Sequence, residues 1–404
     1  MAHSHEDLVW REDAVETVLE LRRRALGEQG AESVGIDALA GRVVAEEVVA
    51  AGDLPAHDHA TMDGYAFDAA DEYPLSLVDV EVYPEDDPPS IGDGEAVEIA
   101  TGAALPPEAN AVLKREEATV EDGRLSGPRL EPGTYTYERG NNVAEGDVLF
   151  EESDRLSPKD AILLGDIGRE TVTVVERFSV GVLATGTEIH EGRHEDLDSA
   201  MLAGLARSWG HEATYERTVP DEYDRVRGRI SDLADRYDVV LTTGGTSVGH
   251  KDYVVRALDD LGEVHFHRVR IRPGKPIAAA TLSDHGATVF AIPGKPIGAH
   301  AITTLVARPF FTGRTDLPVV EAALERDVSL GPEGFEYAIP VTLDDGAAMP
   351  LGHVDSALSV YDEQFDPSVL SSSTRASRAD GFVLTTSALE SGSTVEVVPY
   401  PVVE

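Results

Sequence analysis

"TTGGTSVGHKDYV", residues 242–254, joins an apolar run, "DVVL" at 238–241, to a helical one, "VVRALDDLG" at 254–262. An apolar strand that ends in a glycine turn and restarts as a helix is the unit from which parallel α/β sheets are built. The same rhythm runs outward from it. "FSVGVLATGTEI" (178–189) is an apolar strand closing on a Thr-Gly-Thr turn, and "DSAMLAGLARSWG" (198–210) has helical spacing. "EATYERTV" (212–219) reads as a strand and "DEYDRVRGRISDLADRYD" (221–238) as an amphipathic helix. Downstream, "EVHFHRVRI" (263–271) alternates like a strand, "ATVFAIPGKP" (287–296) is a strand running into a loop, and "IGAHAITTLVARPFF" (297–311) is helical. The pattern predicts a mostly parallel, doubly wound sheet with helices on both faces, whose ligand site lies at the carboxyl ends of the strands.

The glycines in "ATGTEI" and "TTGGTSVG" permit positive φ and close backbone approach. Successive N–H groups there can form an anion-binding nest, with threonine and serine hydroxyls adding donors. Neither turn has the spacing of a nucleoside-triphosphate loop or a dinucleotide fingerprint. A plain strand-to-helix turn explains either one alone. Two of them, each followed by an acid (Glu188, Asp252), point to a site.

Charge sharpens that reading. The chain has 404 residues, 75 acidic against 33 basic, a formal net charge of −42 and no cysteine. Clustered cations are what nucleic acids require, so this balance disfavours them. The absence of cysteine excludes disulfides, thiolate catalysis and cysteine-ligated metals. The acids are scattered, as on a strongly solvated surface, and their number leads us to expect adaptation to a salt-rich cytoplasm. "MAHSHEDLVWRED" has no basic segment followed by an apolar one and no run is long enough to span a membrane, so a soluble cytoplasmic protein is expected. Against this background "HRVRIRPGKP" places Arg268, Arg270, Arg272 and Lys275 within residues 267–276. The stretch reads either as an anion site or as a strand with arginines on its exposed face.

The length calls for several domains. Residues 53–142 have dense turn signals and short strands such as "EAVEIAT" and "AVLKREEATV", which predicts an inserted β domain. Residues 1–52 and 143–173, with a helix in "HEDLVWREDAVETVLELRRRAL" and a second one after Ser157 and Pro158, form an elongated helical linker region. Residues 174–316 are the central α/β domain, and 317–404, with "EYAIPVTL", "GFVLTTSA" and "TVEVVPYPVV", form a C-terminal β-barrel. "LPAHDHATMDGYAF" (54–67) gathers His57, Asp58, His59 and Asp63. A divalent-metal site is one reading of it; a substrate-contacting loop is preferred, because neighbouring residues on a strand face opposite ways.

Taken in order, "LPAHDHATMDGYAF", "IATGAALPPEANAV", "LATGTEI", "TTGGTSVGHKDYV", "RIRPGKPIA" and "IPGKPIGA" resemble the MoeA family of molybdopterin molybdenumtransferases, to which the gephyrin E domain belongs. The resemblance spans nearly the whole chain. It implies an enzyme of molybdenum cofactor biosynthesis that inserts molybdate or tungstate into adenylylated molybdopterin and releases AMP with the help of Mg²⁺. It also implies a homodimer, with substrate passed on from a molybdopterin adenylyltransferase whose fold the central domain shares.

By position, the resemblance puts catalytic acids at Asp63, Glu188, Asp238 and Asp252, of which Asp63, Glu188 and Asp252 would hold metal. Substrate contacts fall on Thr101, Gly186, Gly244, Gly245 and Ser247, on the cations Arg268, Arg272 and Lys275, and on Pro293, Lys295 and Pro296. The chain departs from the family at several of these places. Arg268 and Arg272 stand where lysines are usual, Asn141 and Asn142 where a Glu-Asp pair is usual, and Lys295 and Gly298 where Asn and Ser are usual. "DLDSAML" and "SSSTRASRADGF", with Ser371, Ser373 and Arg375, match only loosely. Two other readings remain at this stage: an adenylyltransferase using the same α/β domain, or a non-catalytic cofactor-binding scaffold.

Overall fold

The computed structural model describes residues 8–246, 253–282 and 284–404, and folds as two units, residues 1–31 with 175–404 and residues 32–174. Ser247 and Asp252, both expected in the site, lie outside the described residues.

The larger unit is organised by a six-stranded sheet. Its order is Glu212–Val219, Ser179–Thr185, Val239–Thr243, Ala287–Ile292, Ala278–Leu282, Glu263–His267. The first four strands are parallel, and Ala278–Leu282 alone runs against both of its neighbours, so the sheet is mostly parallel. Val239–Thr243 and Ala287–Ile292 are buried at every position, as a strand covered on both faces must be. On one face lie Leu202, Leu205 and Ala206 of the helix Ser199–Ser208; on the other lie Val226, Ile230 and Leu233 of Tyr223–Ala234, with Val254 and Leu258 of Tyr253–Leu261. The helix Arg11–Glu28 also belongs here rather than to a linker. Its Ala14, Val18 and Leu21 join the first face, and buried Arg22 donates to the carbonyls of Phe310 and Phe311 at 2.8 and 3.3 Å.

Downstream of the sheet, the helix Pro296–Ile302 widens into a π-turn, Thr303–Ala307, immediately before the helix Arg308–Thr312. Pro309 has no N–H to continue a regular ladder, and the wider turn accommodates the break. The remaining strands close a five-stranded barrel: Val320–Leu324, Ala347–Pro350, Glu336–Asp344, Gly381–Thr385 and Thr394–Pro399, which pairs back to the first. Closure removes the exposed edges. A short strand, Ile271–Arg272, pairs with Glu336 and Tyr337, so the arginine-rich stretch is attached to the barrel wall.

The smaller unit is built on a second six-stranded sheet, ordered Ala111–Lys114, Gly64–Phe67, Glu95–Ile99, Leu75–Val82, Arg124–Ser126, Thr119–Glu121. Val97, Ile99 and Val112 pack on one side of it, and Phe67, Leu75, Leu113 and Leu125 on the other. Its glycine in "MDGY" is required by space. A Cβ at Gly64 would lie 2.0 Å from the carbonyl oxygen of Leu113 on the paired strand. No described helix is long and apolar enough to cross a membrane.

Candidate functional site

In the larger unit the turns at the carboxyl ends of the sheet converge as expected, but the glycines do a different job from the one sequence suggested. Gly244 N–H donates to Ile292 O at 3.0 Å and Gly186 N–H to Val219 O at 3.1 Å. Both donors are therefore engaged within the sheet. What the glycines supply is closeness. At Gly244 (φ +87°) a Cβ would sit 2.6 Å from Thr185 O, and at Gly245 (φ +66°) 2.7 Å from a methyl of Val254. A Cβ at Gly294 would lie 3.1 Å from Gly244 Cα, so the two turns touch backbone to backbone.

Beneath this contact is a carboxylate that sequence reasoning did not select. Asp198 is 6% exposed, and its Oδ2 accepts from Thr243 Oγ at 2.8 Å, one residue before Gly244. Burial raises its pKa above the usual carboxylate value, against the hydrogen bond from Thr243. The neighbouring Asp196 steadies the entry to the helix Ser199–Ser208, accepting from the N–H of Asp198 and Ser199 at 3.2 and 3.0 Å.

Around this floor lies a cleft of about 500 Å³, lined by residues 244–246, 272–276, 293–295 and 298, with Pro367, Ser368 and Ser371 from the segment between the barrel strands Ala347–Pro350 and Gly381–Thr385. Arg272 enters on the short strand attached to the barrel, its guanidinium 4.3 Å from the centre of the Phe335 ring. Its Nε is buried and has no hydrogen-bond partner among the described residues. Lys275 follows the Pro-Gly turn; Gly274 (φ +109°) has no room for a Cβ, which would meet Ile302 Cβ at 2.8 Å. Burial first, then the charges of Arg272 and Arg268, hold the Lys275 pKa below that of a free lysine. Lys295 reaches across to donate to Ser368 O at 2.9 Å. The cleft is thus lined by three cations, Arg272, Lys275 and Lys295, and by no described carboxylate. Cations crowded against each other without acidic partners form a place prepared for an anion.

Other expected residues are placed differently. Pro293 lines the cleft, whereas Pro296 does not and instead begins the helix Pro296–Ile302. Arg268 (φ +76°) is not part of the cleft lining but acts on Lys275 by charge, and its buried Nε has no hydrogen-bond partner among the described residues. Arg270 is structural: it donates to Leu8 O at 3.1 Å and Gly334 O at 3.4 Å and packs over Trp10. Glu188 is half-buried on the short helix Thr187–His190 and is not part of the cleft lining, nor is Gly186. A second acid stands beside Glu188: Asp221 N–H donates to Thr187 Oγ at 3.0 Å, and Thr187 N–H donates to Asp221 Oδ2 at 3.3 Å. The signal for Asp221 was its place just after the strand Glu212–Val219, at the same edge as the turns.

Asp238 must be corrected. It sits at the amino-terminal edge of the sheet, where its Oδ2 accepts from Ser179 N–H and Oγ–H, both at 2.7 Å. Five residues of parallel strand separate it from Thr243, about 16 Å at the rise of a strand, so it ties two strand starts together and is remote from the cleft.

In the smaller unit Asp63 and Thr101 are brought together. Asp63 Oδ1 accepts from Thr101 Oγ at 2.6 Å and Thr101 N–H at 2.7 Å. The Thr101 hydroxyl, followed by its N–H, holds the Asp63 carboxyl below its ordinary pKa, so it is ionised at neutral pH. Among the described residues no three acidic or histidine side chains converge as a metal site, so the metal reading of residues 54–67 has no support. Asp58 there is engaged by Arg139 N–H at 2.7 Å. Asn142, in place of the usual acid, donates to Asp166 at 3.2 Å. An aspartate at 142 would repel that partner.

Comparison with known proteins agrees with this architecture. Residues 11–168 match the family described as "MoeA N-terminal region (domain I and II)", and residues 181–313 match "Probable molybdopterin binding domain". A Methanocaldococcus jannaschii protein whose name assigns it to molybdopterin biosynthesis is 31% identical over 289 residues, 68% of this chain and 72% of its own length. The Haemophilus influenzae protein named molybdopterin molybdenumtransferase is 29% identical over 280 residues, 66% of this chain and 69% of its own. A solved structure of the Pyrococcus horikosii molybdopterin biosynthesis MoeA protein is 29% identical and superposes with a TM-score of 0.73, covering 97% of this chain and 99% of that one. With motifs, cleft and both family regions in agreement, the chain belongs to the MoeA family.

Proposed function

We propose that this protein is a molybdopterin molybdenumtransferase that takes adenylylated molybdopterin and molybdate, or tungstate, and releases AMP and the metal-loaded cofactor. The observation that carries the reading is the cleft lined, among the described residues, by Arg272, Lys275 and Lys295 and by no acid, at the carboxyl ends of a mostly parallel sheet. Splitting the phosphoanhydride creates charge on phosphate oxygens, and fixed cations in a partly dry site stabilise that charge without reorganising. The guanidinium of Arg272 can hold an oxyanion by two parallel hydrogen bonds, whereas Lys275 and Lys295 act as point charges. The glycines of the floor keep its turns packed backbone to backbone, and Pro293 lines the cleft beside them.

Mg²⁺ belongs to this reading as a bound ion that would polarise phosphate oxygens. Glu188 in the larger unit and, by itself, Asp63 in the smaller unit are each a carboxylate of the kind such an ion takes. Asp63 is kept ionised by Thr101, the state such binding needs. The domain limits near residues 53, 143, 174 and 317, a homodimeric assembly, substrate transfer from an adenylyltransferase and a salt-rich cytoplasm complete the proposal. The net charge of −42 supports the last of these.

The test is chemical. Given adenylylated molybdopterin and Mg²⁺, the purified protein is expected to release AMP on addition of molybdate and not before. Given molybdopterin and ATP, it is expected to form no adenylate. Adenylate formation would assign the adenylyltransferase reaction instead, and tight pterin binding with no AMP release under any condition would make the chain a carrier.

A further inference from the structure

The helix Arg308–Thr312 begins on a guanidinium that the fold buries without pairing it to an acid among the described residues. Arg308 is 3% exposed, its Nε is buried with no hydrogen-bond partner there, and its Nη2 donates to a backbone carbonyl, Asp316 O, at 2.7 Å. The Asp316 carboxylate is held elsewhere, accepting from Arg314 Nε and Nη2 at 3.0 and 2.7 Å. Burial holds the Arg308 pKa below that of a free arginine, although the charge of Asp316 works the other way. A buried charge is costly to keep without a counter-ion, and a guanidinium does not escape the cost by losing its proton.

The remaining surface of Arg308 lines a cavity of about 340 Å³ within the larger unit. Val15 and Leu305 make an apolar wall, and Arg11 and Thr315 bring further donors. Arg11 carries no net charge into it, because Glu336 accepts from its Nε and Nη2 at 2.7 and 3.2 Å. The described acid in the lining is Glu12, which is exposed. This cavity shares no lining residue with the cleft, and the helical path from Gly298 to Arg308 separates them by roughly 15 Å at the rise of a helix.

We infer that this cavity is a second anion site, in which an oxyanion the size of phosphate pairs with Arg308. The site is separate from the cleft and stands whether or not the reaction proposed there is right. A guanidinium with donors to spare takes such an oxyanion by paired, charge-assisted hydrogen bonds, and the low-dielectric surroundings of Arg308 strengthen them. Glu12 opposes the anion from the rim, where solvent and salt screen its charge.

The experiment is denaturant unfolding of the full chain while inorganic phosphate is raised at constant ionic strength, so that screening does not change. Thr315→Asp is the main variant. Thr315 is exposed, lines the cavity and precedes the residue whose carbonyl Arg308 holds, so an aspartate there offers Arg308 a carboxylate of the protein's own without touching the core. General salt effects and any phosphate held in the cleft are the same in wild type and variant, so the difference between them reads this site alone. The wild-type midpoint is expected to rise with phosphate by more than that of Thr315→Asp, and the affinity for phosphate at this site to fall at least about tenfold in the variant, the order of one charge-assisted contact. Arg308→Lys, which keeps the charge and loses the fork, should fall between the two. Equal phosphate responses in wild type and Thr315→Asp, or an Arg308→Lys response as large as that of wild type, overturn the proposal.

Discussion

Gly244→Ala is expected to abolish AMP release and to lower the stability of the larger unit by about 3 kcal/mol, from left-handed strain together with the contact it forces. The new Cβ would lie 2.6 Å from Thr185 O and 3.0 Å from Thr185 Oγ, on a residue with φ +87°. Neither neighbour can move freely. Thr185 ends a central strand and its hydroxyl donates to Thr243 O at 3.1 Å. Relief must therefore come from the turn itself, which would pull away from Gly294 and disorganise the cleft floor. Gly192→Ala is the matched control, since Gly192 has φ +70° but nothing within 4 Å of a Cβ. It should show only the backbone strain, about 1 kcal/mol, with activity retained. Denaturant midpoints and AMP release of the two variants separate close approach from mere positive φ.

Arg272→Met is expected to weaken binding of anionic substrate by about thirtyfold, the loss of one hydrogen-bonded charge worth roughly 2 kcal/mol. Methionine keeps the contact with the Phe335 ring that Arg272 makes at 4.3 Å, so the fold should be preserved. The variant also carries a pH signature. In the wild type the Lys275 pKa is depressed by burial and then by Arg272 and Arg268. Anion affinity should therefore be full below that pKa and fall as pH rises through it, earlier than for an ordinary lysine. Removing Arg272 removes one source of the depression, so the falling limb should move to higher pH while the affinity at neutral pH drops. A limb that stays in place would show that Lys275 does not sense Arg272.

Much of this was legible in the chain. The central sheet could be read because "VVL" (239–241) and "VGVLA" (180–184) are uniformly apolar, as strands covered on both faces are. The cationic cleft was legible because lysine is so scarce here that Lys275 and Lys295 beside glycine turns stood out. Direction along a strand was harder. Asp238 is close to Gly244 in sequence but at the other end of an extended strand, and sequence proximity cannot show that an acid caps strand starts through Ser179. The glycine turns looked like nests of donors because only the structure shows where each N–H points; Gly244 and Gly186 both donate to neighbouring strands. Asp198 was hidden for a related reason. Its role depends on Thr243, which is 45 residues away and brought alongside by the parallel sheet. The helix Arg11–Glu28 gave no clue to its unit, since its apolar positions Ala14, Val18 and Leu21 would suit any core.

The central claim is that one protein couples loss of the adenylate to gain of the metal. The most direct measurement is a single-turnover reaction with adenylylated molybdopterin, Mg²⁺ and molybdate, in which AMP and pterin-bound molybdenum are quantified in the same samples over time. The account predicts that the two appear together and in equal amounts, and that Gly244→Ala produces neither. AMP appearing without metal in the pterin, or metal entering with the adenylate intact, would contradict it.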